Sequence, residues 1–327
     1  MTAEPISPTS GALRHRGGWW SGDRAFRTTT LACGGLVLAV LAAIAVFLVV
    51  QALPAFRADS TSFWTTRTWQ PDATPAVFGI AAVAFGSLLS SAIALLLAFP
   101  VAVGVALFIT EMAPRRVANL LGYLTDALAA VPSVVFGLWG LYWLVPRLTP
   151  LQQWLADHLG FIPLFSAPQG VPSPSRSIFA VSIVLAIMIL PIIAAMSRET
   201  IRQVDPQIKE AALGLGATRW EVVRTAVLPV SRAGLFGAVI LGLGRALGET
   251  IAVALVLGIS FDVNAHLLVP GKNTIAANIA TQFGEAGSTG RAALIASGLV
   301  LFAMTMVVSL LARWMLGREA RRRGASR

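Results

Sequence analysis

Charge is scarce in this chain. Only 12% of its 327 residues are Asp, Glu, Lys or Arg, about half the roughly 25% of a soluble globular domain. With 56% hydrophobic residues and a mean hydropathy of +0.75, only a bilayer can solvate it. Cysteine is almost missing. Cys33 stands alone inside an apolar run, which excludes an intrachain disulfide. The three histidines, His15, His158 and His266, are scattered through tails and loops, without the spacing of a metal site. No Walker loop and no nucleophile–base triad pattern is present. Any ATP hydrolysis that serves this chain therefore has to come from another one.

What the chain does have is long apolar runs. A helix needs about 20 apolar residues to cross a hydrocarbon core of ~30 Å, and six stretches qualify. They are Leu31 to Leu53, a charge-free stretch between Asp72 and Glu111, roughly Leu124 to Val145, Ile178 to Met196, roughly Ala233 to Ile259, and roughly Ala292 to Leu316. The second is longer than one crossing requires, so it either protrudes or bends at Pro100, whose ring removes a backbone donor. The third is interrupted by Pro132 and several glycines. The first exceeds the apolar core of a signal peptide, and no clean A-x-A site follows it, so it is read as retained. Residues 1 to about 18, rich in Ser, Thr, Gly and Pro, read as a disordered tail.

The net charge of +10 would suggest nucleic acid in a soluble protein, but here its placement matters more. With the N-terminus in the cytoplasm, 18 of the 25 Lys and Arg residues fall on the cytoplasmic side and six on the other, with Arg245 inside the membrane. That bias follows the positive-inside rule, and six crossings return the C-terminus to the cytoplasm. The terminal "GREARRRG" reads as an anchor for anionic lipid, with no nucleic acid as partner. The expected organisation is a tail, first crossing and outer loop over 1–72, a core over 73–316, and a basic tail over 317–327.

Between the fourth and fifth crossings lies a charged segment, "SRETIRQVDPQIKEAALGLGATRWEVVRTAVLPVSRAG". Asp205 as N-cap and Pro206 at the first helical position start a short helix, and Gly214 and Gly216 end it. Thr218, with Glu221 three residues on, is a capping box for a second helix. An ordinary amphipathic connection would have this composition, but the spacing is more particular. Glu210-Ala211-Ala212 is followed by three residues, then Gly216, then eleven residues to Leu228-Pro229. This resembles the EAA loop of ATP-binding-cassette importer permeases, although Ala226 stands where that family usually has Ile or Val. "VPSVVFGLWG" (Val131 to Gly140), "GRALGETIAVALVLG" (Gly244 to Gly258) and the stretch from Val77 onward resemble the permeases of bacterial phosphate-specific transport (Pst) systems. The likeness spans roughly residues 60 to 316. Ile251-Ala252 after the "GRALGET" stretch is similar to the C-type rather than the A-type permease.

The resemblance implies an all-α polytopic membrane protein with the fold of a type I ABC importer transmembrane domain. It has six transmembrane helices and a cytoplasmic coupling helix, and it lies multi-pass in a bacterial cell membrane. It implies a non-enzymatic subunit that forms part of a path for inorganic phosphate. Its implied partners are an A-type second permease, two copies of an ATP-binding subunit and an extracytoplasmic phosphate-binding protein. ATP and Mg are used by the ATPase, with no cofactor in this chain. Glu210, Ala211, Ala212, Gly216, Leu228 and Pro229 are the implied coupling residues.

"GRALGET" itself places charge inside an apolar run. Arg245 and Glu249 are i and i+4, so on an unbroken helix they share a face and can pair. A charge at mid-depth costs several kcal/mol and survives only against a partner or a wet cavity. The pair is either structural or lines the path. Gly244-x-x-x-Gly248 is a small-xxx-small pattern, suited to close helix contact or to a seam between permeases. Arginine suits phosphate because its planar fork binds oxyanions bidentately. The expected device is a switch in which Glu249 holds Arg245 until the anion competes for it. Thr250 and Ser133 join these two as path candidates, although a serine hydroxyl more often bonds back to its own helix. Asp126 reads as solvated, and Ser87, Ser90 and Ser91 as packing residues. The Trp-rich outer loops suit an aromatic belt or a docking surface, with a short helix near Ile275 to Phe283. Two alternatives stay open: an importer of another oxyanion or small solute, and an ATP-independent secondary transporter.

Overall fold

The computed structural model describes residues 22–166, 175–258, 260–261 and 266–324. The expected disordered tail, His15, the last residue of the fifth run (Ile259) and the final residues of the basic tail lie outside them. The chain divides into two compact units, Met1–Phe47 and Leu48–Arg327. In the first, the described residues belong to helix α1 (Gly22–Ala58), whose apolar side chains make it a span by length and composition alone.

The second unit is a helical bundle with a two-stranded antiparallel ribbon. Strands β1 (Trp69–Gln70) and β2 (Val77–Phe78) pair Trp69 with Phe78 and Gln70 with Val77. Helix α2 (Ala81–Leu107) runs on through a π-turn (Phe108–Met112), with Pro100 inside it. There follow α3 (Arg115–Ala129), α4 (Ser133–Trp139), a π-turn (Gly140–Leu144), α5 (Val145–Leu159) and α6 (Ile178–Arg202). After α6 come α7 (Pro206–Gly214), α8 (Arg219–Val222), a π-turn (Val223–Val227), α9 (Leu228–Gly248) and α10 (Ile251–Val256). Helices α11 (Ile275–Gln282) and α12 (Ser288–Gly324) complete the order.

Among the described residues six helical stretches are long and apolar enough to cross a membrane. Four lie where the hydropathy pattern puts them. The fifth spans Arg219–Gly248, starting earlier than Ala233 and stopping short of Ile259, because the helix ends at Gly248. The third is shifted too: it spans Ser133–Leu159, not Leu124 to Val145. Residues 124–129 belong instead to α3, an amphipathic helix. Pro132 supplies the extended backbone (ψ 139°) that starts α4, because the residue before a proline avoids the helical region and a helix ends there.

Helix α6 is the centre of the bundle. Two thirds of its apolar window is buried, against a third or less in the other spans. Val181, Val184, Leu185, Met188, Ile189 and Ile193 are essentially inaccessible. Helix α2 meets it through alanines spaced by four, Ala94, Ala98, Ala102 and Ala106, which let the two backbones approach closely where lipid offers no hydrophobic drive. Ser87 and Ser90 donate to the carbonyls of Val83 and Gly86 in their own helix, and Ser87 Oγ also accepts the Ile275 amide. Ser87 thus stitches α2 to the short helix α11, which lies where the outer-loop pattern places it.

Candidate functional site

The "GRALGET" stretch is where the fifth span breaks. Helix α9 ends at Gly248, Glu249 is extended (φ −70°, ψ 125°), and a new helix begins at Ile251. The expected i,i+4 pair therefore does not form, because its two residues lie on opposite sides of a helix end. Among the described residues the ion pairs are Arg198–Asp126 and Lys209–Glu111, and neither involves Arg245 or Glu249. Glu249 is only 8% exposed, and its Oε1 accepts the backbone N–H of Ala252 at 3.2 Å. In a bilayer an unmatched amide costs several kcal/mol, so the carboxylate serves as the cap of α10. Arg245, half-buried in the last turn of α9, has a buried Nε with no hydrogen-bond partner.

Two further path candidates lie beside the break. Thr250 is the half-buried residue that precedes α10, and Ser133 is the half-buried first residue of α4. Helix α4 packs directly on α10. A Cβ built on Gly137 would lie 2.8 Å from the Ala252 Cα, and one on Gly140 2.8 Å from Val184 Cγ2 and 3.2 Å from Val256 Cγ2. Glycine is required at this crossing because no side chain fits. Gly244 and Gly248, by contrast, make no close contact within the chain: a Cβ on either meets nothing within 4 Å. The close approach of α9 to α6 runs through Gly234, where a Cβ would collide with the Thr200 side chain, and Gly242, where one would sit 2.6 Å from Ile193 Cδ1. Gly244, Gly248 and half-exposed Leu241 instead form an open face.

The charged connection folds as its caps predict. The Asp205 carboxylate accepts the Gln207 amide at 2.9 Å, and Pro206 opens α7. Gly216 takes φ +87°, a conformation that favours glycine. Thr218 and Glu221 form the reciprocal capping box that starts α8. Helix α7 buries none of its residues. Glu210 and Ala211 are exposed, Ala212 is half-buried, and Leu215 is 90% exposed. Leu228 and Pro229 start α9 just after a π-turn, the widened turn that accommodates a proline ring without breaking the helix. Ala226 is buried with Ala106, Ile201, Val204, Val222 and Val227, a pocket closed by a small side chain.

Three contacts were not legible beforehand. Lys209 Nζ donates to Glu111 Oε1 at 2.6 Å, which ties α7 to the end of the second span. Asp126, expected to be merely solvated, pairs with Arg198 at 2.9 Å. Arg176 donates to the carbonyls of Leu255, Val256 and Leu257. The first pair joins residues 98 apart in the chain, and its only sequence signal is opposite charges at the ends of two apolar runs. Among the described residues no cluster of His, Cys, Asp and Glu could hold a metal ion. The arrangement offers one arginine with unsatisfied donor capacity and one buried carboxylate at a helix break. The guanidinium can hold an oxyanion and the carboxylate opposes one, and together they supply no nucleophile–base pair.

The chain matches the family model of the binding-protein-dependent transport system inner membrane component over residues 100–322. It is 42% identical over 300 residues to the phosphate transport system permease protein PstC 2 of Mycobacterium tuberculosis, covering 90% of this chain and 92% of that one. It is 40% identical over 303 residues to PstC of Xylella fastidiosa (92% and 93% covered) and likewise to PstC of Haemophilus influenzae (91% and 94%). Among solved structures it resembles a bacterial ABC transporter involved in the import of the acidic polysaccharide alginate. That match has a TM-score of 0.50 at 18% identity and covers 72% of this chain and 78% of that one.

Proposed function

The chain belongs to the binding-protein-dependent transport permease family, and from that premise we propose that it is the C-type permease of an ATP-driven phosphate importer. The observation that carries the reading is the broken fifth span. An arginine with an unpaired Nε and a buried carboxylate lie within five residues of each other in an apolar segment. Intramembrane charge is costly and marks a transport path when it is not neutralised by packing. The guanidinium fork of Arg245 matches the tetrahedral oxygens of phosphate. With Glu249 engaged at α10, Arg245 is open to the anion rather than held by the carboxylate, so the switch between them is not part of the reading. Ser133 and Thr250 add hydroxyls beside the break. Contact with the ion is brief because a translocation step needs weak binding.

The exposed face of α7, with Glu210, Ala211, Ala212 and the Gly216 turn, is the coupling surface for a separate ATP-binding subunit, present in two copies. Motion there reaches the spans through Leu228-Pro229 and the Lys209–Glu111 pair. The open Gly244/Gly248 face fits a second permease of A-type, with the path along the seam. An extracytoplasmic phosphate-binding protein delivers the ion to the far side, where the ribbon and α11 lie. ATP and Mg act in the partner subunits. The protein sits multi-pass in the bacterial cell membrane with both termini cytoplasmic, and its basic tail rests on anionic lipid. The test is ATP-dependent uptake of labelled phosphate against sulfate in vesicles holding the assembled complex. Phosphate uptake that falls in Arg245→Gln and Glu249→Gln supports the reading. Normal uptake in both variants, or sulfate carried equally well, overturns it.

A further inference from the structure

Helix α10 is six residues long and interrupted at both ends, with extended backbone at Glu249 before it and at Leu257 after it. So short a helix cannot hold itself together. Nucleation costs more than a few hydrogen bonds return, and its last carbonyls have no helical donors. Its two ends are held by side chains of opposite charge. At the N-terminus Glu249 accepts the Ala252 amide. At the C-terminus the Arg176 guanidinium spans three successive carbonyls: Nη2 donates to Leu255 at 2.8 Å and Leu257 at 3.0 Å, and Nε to Val256 at 3.1 Å. Both charges have the sign that the helix dipole favours at that end. Only arginine carries a rigid fork able to bridge several carbonyls at once.

Arg176 is itself well anchored. Its carbonyl accepts the Gly271 amide at 3.1 Å. The next residue, Ser177, caps α6 and donates to Gln152 Oε1 at 2.6 Å. The clamp thus fastens the end of α10 to the start of the most deeply buried helix. We infer that Arg176 is a positioning residue for the substrate path. By holding α10 helical and in place, it keeps the Ala252 amide where Glu249 can cap it, and so fixes the orientation of the carboxylate at the break. The inference rests on the reading of the break as part of the path.

The test uses the complete transporter, with Arg176→Gln and Arg176→Lys, and two readouts. Hydrogen exchange follows the amides of Ile251–Leu257, and uptake separates maximal rate from the concentration giving half that rate. Losing one charge-assisted hydrogen bond is worth on the order of tenfold. Arg176→Gln is therefore expected to speed exchange in α10 about tenfold or more and to lower maximal uptake similarly. The half-saturating concentration, set by delivery of the ion, stays unchanged. Arg176→Lys keeps the charge but bridges fewer carbonyls, and falls between. Unchanged exchange in α10 overturns the inference, as does exchange that rises equally in α6 and α9. If α10 loosens as expected but uptake stays normal, the clamp exists without a role in transport. The Arg245 and Glu249 variants then show whether the path reading itself has failed.

Discussion

Replacing Gly137 by alanine tests how rigidly α10 is seated, without touching any polar group. The new Cβ would lie 2.8 Å from the Ala252 Cα and 2.9 Å from Leu255 Cδ1, whereas carbons in ordinary contact sit about 3.5–4.0 Å apart. The tip of Leu255 can rotate away, but Ala252 presents backbone, so α10 or α4 has to move by roughly 1 Å. Overpacking of this kind costs about 1–3 kcal/mol, while the better helix propensity of alanine returns about 1 kcal/mol. The net is up to about 2 kcal/mol of destabilisation. The functional effect is larger than that figure suggests. The bond from the Ala252 amide to Glu249 is already 3.2 Å long, and a shift of about 1 Å takes it out of hydrogen-bond range. The expected outcome is a lower melting temperature of the purified complex and phosphate uptake reduced about tenfold, the scale of one lost bond to a charged group. Gly104→Ala, where a Cβ on α2 meets nothing within 4 Å, serves as the control and should leave both unchanged. Wild-type uptake and melting in Gly137→Ala would falsify the claim that α10 is fixed by close packing.

Other positions give sharper single readouts. Glu111→Gln and Lys209→Met should each weaken the coupling of ATP hydrolysis to uptake. In a double-mutant cycle the pair should show an interaction of about 1–3 kcal/mol, since both side chains are largely sheltered; strict additivity would remove the link between α7 and α2. Thr218→Ala removes half of the capping box and should cost about 1 kcal/mol of local stability. That loss would appear as faster proteolysis around Gly216, and unchanged cleavage would count against it. Gly244→Leu meets open space within this chain. It should leave the chain folded yet lower co-purification of the second permease, and full recovery of the partner would move the seam elsewhere.

The features that could be read from sequence share one property: the information is local. The six apolar runs, the Asp205 and Thr218 caps, the Gly216 turn and α11 each depend on neighbours a few residues away. A hydropathy window misplaces the third span because it averages across Pro132 and absorbs the apolar face of α3, and it misplaces the fifth because it runs on across the helix end into α10. The break at Glu249 was hidden for the opposite reason. "GRALGETIAVALV" contains no proline, and its residues are all compatible with an uninterrupted helix. The helix stops there because α4 and Arg176, from elsewhere in the chain, hold α10 as a separate piece. Glycines show the same limit. The motif at Gly244 and Gly248 suits either contact within the chain or a seam between permeases, while the crowded glycines of α9 within this chain are Gly234 and Gly242, and only the position of the neighbouring helix tells them apart.

Asp72, in the turn of the β1–β2 ribbon, receives the amides of Gly287 at 3.0 Å and Gly290 at 2.8 Å. Its carboxylate thus caps the start of the last helix, 215 residues further on. At ordinary translation speeds roughly ten to forty seconds separate the synthesis of the two halves of this contact. The loop made after the first crossing therefore waits on the last one to be threaded. A chain stopped short of Gly287 leaves the Asp72 carboxylate without either of these amides, so the ribbon and the last helix are fastened together only when synthesis is nearly complete.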